Sequence, residues 1–191
     1  TNYLLVEDKK YKSDKLELIN ESTSIKMSNC EYDEESRNFS TKEKIEGRRE
    51  DYQFLTKGLD YNSESKKGKF DEPIILLNKK DEFVMRSSGS RIEDNILIMS
   101  LPEGKRKDTT FSAELGKYSE DNIFALEGNV LIEDKDLKVS TEKLDYDIRK
   151  NSLLFVNEAD IESDDLYINV KKGTLFVDEE QLSGEGVLII R

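Results

Sequence analysis

The residue types that carry most enzyme chemistry are scarce in this sequence. It contains no His, which excludes Ser-His-Asp and Cys-His nucleophile systems, His-ligated metal sites and the usual proton shuttle near neutral pH. Its single Cys, Cys30, lies among carboxylates in the stretch SNCEYDEES, and nearby negative charges raise the pKa of a thiol. We therefore expect Cys30 to be an ordinary strand residue rather than a reactive or intermolecular thiol. We expect no metal site and no cofactor.

The charged groups that remain point away from nucleic acids and from catalysis. The sequence has 42 Asp and Glu residues against 30 Lys and Arg residues, a net charge of −12, whereas binding a phosphate backbone requires a basic face. Paired carboxylates hydrolyse glycosides in many enzymes, but no pair is distinguished by its position here. The sequence therefore favours a protein that is not an enzyme.

The densest basic cluster is Lys105, Arg106 and Lys107 in the stretch LPEGKRKDTT. The Pro and Gly that precede it are typical of a turn. We expect a solvated hairpin tip at this place, with a contact for an anionic headgroup as the alternative.

The elements that must position these groups repeat along the chain. The tripeptide LDY occurs at 59–61 and at 144–146, and each copy ends an eight-residue segment in which an apolar residue is followed seven positions later by Tyr or another large apolar residue. Seven such segments, called repeat segments below, cover residues 4–11, 25–32, 54–61, 85–92, 111–118, 139–146 and 168–175. Their last residues lie 21 to 31 positions apart, which indicates a repeat architecture.

The repeat segments have the pattern of strands with one buried face. Apolar and polar residues alternate in them, as at Phe111, Ala113 and Leu115, and most segments are followed by a turn-forming cluster and a second apolar run. Only 35% of the residues are hydrophobic and 38% are charged, which suits a fold with little buried volume per residue. The sequence therefore predicts an all-β fold, an elongated, twisted antiparallel β-jellyroll or open sandwich. It would be built from about six to seven strand-turn-strand repeats as one domain over residues 1–191.

An offset of seven raises a geometric problem. In an unbroken strand it places the first and last residues of a repeat segment on opposite faces. A bulge in the middle would return the closing residue, such as Tyr146, to the face of the opening residue, such as Val139. Four segments carry a Gly at that place, and these glycines are Gly58, Gly89, Gly116 and Gly173.

Residues 30–50 are the least regular part of the sequence. They are highly charged and include few apolar side chains. This composition fits a frayed edge strand pair, a short helix or a mobile or irregular segment.

Motifs in the second half of the chain carry a family resemblance. They are Phe111 at the head of a strand, the turn SEDN, the stretch LEGNV at 126–130 and the stretch LKVSTEKLDY at 137–146. With them, residues 109–190 resemble the periplasmic domain of the LptC family, the inner-membrane-anchored component of lipopolysaccharide export. The motifs are shared with LptA and with OstA-like domains, and the likeness extends more loosely upstream to about residue 51.

The resemblance implies a periplasmic jellyroll that binds lipopolysaccharide by its acyl chains. Such a protein passes the lipid from the inner-membrane export transporter to a periplasmic bridge protein and docks to partners by exposed strand edges. The resemblance also implies anchoring in the inner membrane by an N-terminal segment that is absent from this chain. The inward apolar positions that match those of the family are Phe111, Ala113, Leu126, Val130, Ile132, Leu137, Val139, Leu144 and Tyr146.

Two other functions remain open at this point. The chain also fits a soluble LptA-like bridge protein, and it fits a structural or adhesive repeat protein with a dry interior. For each inward residue, ordinary core packing is the competing interpretation.

Overall fold

The structure is a computed structural model that describes residues 4–7, 9–20, 23–94, 96–118, 123–179 and 181–190. In these ranges the regular secondary structure consists of strands, and the paired strands run antiparallel. The predicted all-β antiparallel fold is therefore confirmed. The predicted SEDN turn at 119–122 lies outside the described residues. Within the described ranges there is no helix with the length and apolar character needed to cross a membrane.

The described residues form 21 strands. In chain order they are β1 (Leu4–Glu7), β2 (Lys10–Asn20), β3 (Thr23–Asp33), β4 (Asn38–Arg49), β5 (Tyr52–Asn62), β6 (Lys67–Phe70), β7 (Ile75–Asn78), β8 (Phe83–Arg86), β9 (Gly89–Glu93), β10 (Ile96–Ser100), β11 (Glu103–Arg106), β12 (Thr109–Ser112), β13 (Leu115–Tyr118), β14 (Ile123–Asp134), β15 (Leu137–Asp147), β16 (Ser152–Phe155), β17 (Ala159–Ser163), β18 (Leu166–Val170), β19 (Lys172–Phe176), β20 (Gln181–Glu185) and β21 (Leu188–Ile190). The chain divides into two compact units, Thr1–Met99 and Ser100–Arg191, where the sequence predicted one domain.

In the second unit each long strand serves two half-sheets. Strand β14 pairs with β13 along its first half and with β12 along its second half. Strand β15 pairs with β17 along its first half and with β16 along its second half. The first half-sheet contains β13, the first half of β14, the second half of β15, β16, β19 and β20. The second half-sheet contains β11, β12, the second half of β14, the first half of β15, β17, β18 and β21. Phe111 and Tyr146 meet edge to face across the two half-sheets, with ring centroids 5.5 Å apart. The inner faces therefore form a sandwich.

The bend between the half-sheets coincides with a shift of register. Between Glu127 and Val130, β14 has one residue more than β15. Gly128 and Asn129 occupy this bulge with positive φ angles of 77° and 44°. A Cβ on Gly128 would lie 2.6 Å from a carboxylate oxygen of Glu114, so this position has neither the backbone angle nor the space for a side chain.

Buried threonine hydroxyls bond backbone carbonyls where strand pairing is interrupted. Thr141 Oγ1 donates to the carbonyl of Glu158 at 2.7 Å, and Thr56 Oγ1 donates to the carbonyl of Glu72 at 2.9 Å. These two threonines hold the third position of the two repeat segments that end in LDY. The sequence identity of the two segments therefore includes the polar side chain at the bend.

The four glycines predicted to form bulges have different roles. Gly58 has a positive φ of 64° and lies opposite a bulge, but the extra residue of that bulge belongs to β4 and not to the repeat segment itself. Gly89 begins β9, just after a break between two strands. Gly116 and Gly173 each follow such a break and lie in regularly paired stretches of β13 and β19, so these two glycines do not form bulges. Gly173 is the cross-strand partner of Gly184, and a Cβ on Gly173 would come within 2.6 Å of a backbone oxygen of β20. Close approach of two backbones explains this glycine.

A cross-strand row of apolar residues shows where the interior is filled. By register it comprises Phe111, Ile132, Val139, Ile161, Ile168 and Ile189. The members up to Ile161 are buried, Ile168 is half-buried and Ile189 is 55% exposed. The interior is therefore packed beside β14 and β15 and opens toward β18 and β21.

The first unit uses the same design. Strand β5 pairs with β7 along its first half and with β6 along its second half. Residues 30–50 contain the end of β3, a turn and β4, which pairs with β3 on one side and with β5 on the other. The structure therefore has a strand pair here rather than a short helix, and β3 and β4 are each paired on both sides, so they are not at an edge. In β4 the buried side chains of Thr41 and Ile45 lie among exposed charged ones. The composition of residues 30–50 is therefore highly charged although the segment is a strand with a buried face.

Cys30 is a buried strand residue, as the sequence predicted. Burial raises the pKa of its thiol, which keeps the sulfur in its unreactive protonated form.

The Thr141→Val substitution should destabilise the protein by about 1–2 kcal/mol, because it removes a buried hydroxyl donor while keeping the shape of the side chain. The free energy of unfolding is measured by urea titration. Thr110→Val is the matched control, since Thr110 is exposed and its hydroxyl lies 3.5 Å from its acceptor. Equal losses in the two variants would show that the bend does not depend on this hydrogen bond.

Candidate functional site

The candidate site is a cleft between the two half-sheets of the second unit, with a lining that is part apolar and part polar. It has a volume of about 510 Å³, within the range of small-molecule sites. Its apolar lining comes from both half-sheets and consists of Leu137, Ile161, Leu166, Ile168, Leu175, Val177 and Leu182. Successive side chains of a strand point to opposite faces of the sheet, so the inward-pointing residues of facing strands line the same space.

Charged side chains surround the apolar lining. They lie on the turns that join β11 to β12 and β14 to β15, and just beyond β19. The members of this rim are Lys107, Asp108, Asp134, Lys135, Asp136 and Asp178. Lys135 and Asp108 form an ion pair at 3.5 Å that joins two of the turns. The cleft thus has an apolar interior and an opening that carries charges of both signs.

A hydrogen-bonded chain connects the rim to the core. Tyr146 donates its hydroxyl to Asn151 Oδ1 at 2.8 Å, and Asn151 Nδ2 donates to Asp178 Oδ1 at 2.9 Å. Arg106 Nη1 donates to Asp178 Oδ2 at 3.3 Å. Arg106 ends β11 in the second half-sheet, whereas Asp178 follows β19 in the first. The Arg106–Asp178 pair therefore joins the half-sheets beside the cleft.

The environment of Asp178 lowers the pKa of its carboxyl group. Partial desolvation raises this pKa, but the hydrogen bond from Asn151 and the charge and hydrogen bond of Arg106 together outweigh it. Asp178 is therefore ionised at neutral pH and attracts the guanidinium that it contacts.

The predicted ligand-binding residues lie together on the inner face, mostly in a packed core. Eight of them are at most 7% exposed, and these are Phe111, Ala113, Leu126, Val130, Ile132, Val139, Leu144 and Tyr146. Only Leu137 lines the cleft, where it is half-buried. The site is thus displaced from the predicted residues toward the strands that follow them.

The remaining lining residues were missed, although the sequence contains a signal for some of them. Ile168 and Leu175 open and close the repeat segment at 168–175, so their inward orientation follows from the repeat. The basic cluster was only partly interpreted correctly. Lys107 is exposed at the tip of the β11–β12 hairpin as predicted, and Lys105 is exposed on β11, but Arg106 is 5% exposed and faces inward.

The site does not offer the usual elements of a metal centre. Within the described ranges, no three Asp, Glu or Cys side chains are grouped so that they could hold a metal ion.

Models of known protein families were compared with the sequence without a match, and a comparison with curated proteins also gave none.

The Asp178→Asn variant should be less stable than the wild type at pH 6, and the difference should shrink as the pH falls toward 2.5. The pKa of Asp178 is lower in the folded state than the value of about 3.9 for an unfolded Asp. Its contribution to stability is therefore complete above the unfolded pKa and is lost as the pH falls through the folded pKa. Urea titrations at three pH values measure the difference.

Glu179→Gln is the control for this experiment, because Glu179 is the next residue and is exposed. Its effect on stability should be small at each pH. A difference between wild type and Asp178→Asn that persists unchanged at pH 2.5 would contradict the stabilising role of the carboxylate.

Proposed function

We propose that the protein is a non-enzymatic lipid carrier that holds acyl chains of lipopolysaccharide in the cleft of its second unit. The observation that carries the proposal is the cleft of about 510 Å³ between two half-sheets, in which seven apolar side chains share the lining with charged and polar ones. Acyl chains are recognised by apolar area removed from water, which needs no catalytic group. The resemblance of residues 109–190 to the LptC family supports the same function.

The charged rim suits an amphiphile better than a wholly apolar ligand. A headgroup that stays at the opening would meet charges of both signs, among them Lys107, Lys135 and Asp178. The acyl chains would lie against residues such as Leu166 and Leu182. This division between interior and opening matches the two chemically different ends of a lipid.

The proposed cellular role is transfer in the periplasm, from an inner-membrane export transporter to a bridge protein. Such transfer requires docking of the carrier to its partners. Strands β20 and β21 each pair with one described strand, β19 and β18 respectively. Residues 187–190 of this region are 42% to 56% exposed although they are apolar. Addition of a partner strand would satisfy backbone groups at such an edge and cover its apolar side chains. The same surfaces would serve a membrane-anchored LptC protein or a soluble LptA-like bridge.

A photoreactive residue in place of Leu166 should crosslink to lipopolysaccharide in growing cells, because that side chain lines the cleft. The crosslinked product is detected by its shift in electrophoresis and by an antibody against the lipid. The matched control is the same residue in place of Leu154, which is 45% exposed on β16 and does not line the cleft. Capture at Leu154 but not at Leu166 would contradict the assignment of the cleft.

A photoreactive residue in place of Ile190 should crosslink to a second protein of the cell envelope. Ile190 is exposed and belongs to β21, so a strand added there would contact it. The adduct is identified by mass spectrometry. Ile96, on β10 in the first unit and 40% exposed, provides the control position. Equal capture at the two positions would contradict docking through β21.

A structural or adhesive repeat protein is the second candidate. The specific observation in its favour is that eight of the nine predicted ligand-binding residues are packed into a filled core. Failure of every cleft position to capture lipid, with a normally folded protein, would favour this function.

A further inference from the structure

Arg106 is buried to an extent that is unusual for its charge. Its side chain is 6% exposed, and its contact to Asp178 is long at 3.3 Å. Its Nε atom has no hydrogen-bond partner among the described residues. Burying a guanidinium is costly unless its donors are hydrogen-bonded. The Nε of Arg106 is therefore a buried donor that could bind an acceptor from a ligand.

The two partners of this ion pair differ in their access to water. The side chain of Asp178 is 48% exposed and lines the cleft, whereas Arg106 is almost completely enclosed and lies behind Asp178, outside the cleft lining. If the pair separates, Asp178 can be hydrated at the opening. Arg106 must find another anion or remain uncompensated, which is strongly unfavourable for a buried charge.

We propose that Arg106 selects ligands with an anionic headgroup, and that the headgroup replaces Asp178 as its partner when the cleft is filled. This inference rests on the proposed function of the cleft as a lipid site. In the structure the Arg106–Asp178 pair joins the two half-sheets beside the cleft. In the loaded protein the headgroup accepts hydrogen bonds from Arg106, and Lys107 at the rim adds a second positive charge.

The geometry specifies an anion with at least two acceptor oxygens. A guanidinium offers planar, paired donors that match both a carboxylate and a phosphate. The two headgroup types are therefore distinguished by experiment. The exchange requires no covalent step, since Asp178 gains water molecules in place of the contact that it loses.

The experiment measures binding of probes that share one acyl chain and differ in the headgroup. Dodecanoate, dodecyl phosphate, dodecyl maltoside and dodecyltrimethylammonium are titrated below their micellar concentrations into the full chain at fixed ionic strength. The wild type should bind an anionic probe about tenfold more tightly than the neutral maltoside, which is the effect of one charged hydrogen-bonded contact. The ratio for dodecyl phosphate over dodecanoate distinguishes the two headgroup types.

Substitutions test whether the preference for anionic probes depends on the Arg106–Asp178 pair. Arg106→Met should reduce it to less than about twofold, and Asp178→Asn should increase the affinity for anionic probes, because the competing carboxylate is removed. Arg106→Lys keeps the charge and should retain part of the preference even if the methionine variant folds poorly. Lys105→Met is the matched control, because Lys105 is a cation on the same strand that is exposed to solvent, whereas Arg106 is buried against Asp178. Circular dichroism and thermal unfolding verify the fold of each variant.

The outcomes separate this inference from the function on which it rests. Equal binding of all four probes to the wild type would overturn the role of Arg106 and leave the lipid site intact. An anionic preference that persists in a folded Arg106→Met protein would also overturn it. Binding of none of the probes would overturn the proposed function together with this inference.

Discussion

The fold depends on carrying each long strand through a bend without leaving buried backbone groups unpaired. An interrupted ladder exposes donors and acceptors inside an apolar layer, which costs about 1–3 kcal/mol for each unpaired group. The protein meets this constraint with a bulge at Gly128 and Asn129 and with hydroxyl groups such as that of Thr141. Because the bend is satisfied internally, one strand contributes to both layers of the sandwich.

The cleft and the core arise from the same inner face. Where the half-sheets pack together, inward apolar residues such as Val139 exclude solvent, and Phe111 and Tyr146 are in contact. Where they separate, beside β18 and β19, the same pattern of inward residues lines open space. Arg106 and Asp178 lie at this transition and supply a polar contact between the layers. The chemical character of the site is thus set by how far apart the layers are rather than by a special motif.

The sequence predicted the fold better than the site, for a physical reason. Strands of similar length that cross similar bends leave a repeated pattern, so the architecture could be predicted from the LDY segments. Covered and uncovered inward residues obey the same alternation, so Val139 and Leu137 look equivalent although only Leu137 lines the cleft. The burial of Arg106 could not be predicted, because arginine is rarely buried and a tertiary contact with Asp178, 72 positions away, accompanies it.

The bend also limits how the repeat can change in length. The opening and closing residues of a repeat segment, called its anchors here, are seven positions apart in all seven segments. The ends of successive segments, in contrast, are 21 to 31 positions apart. A residue added between the anchors would turn the rest of that strand over and expose its apolar side chains. A residue added to a turn at the far end of a strand changes neither face. Length variation in this architecture is therefore tolerated at the turns and excluded at the bend.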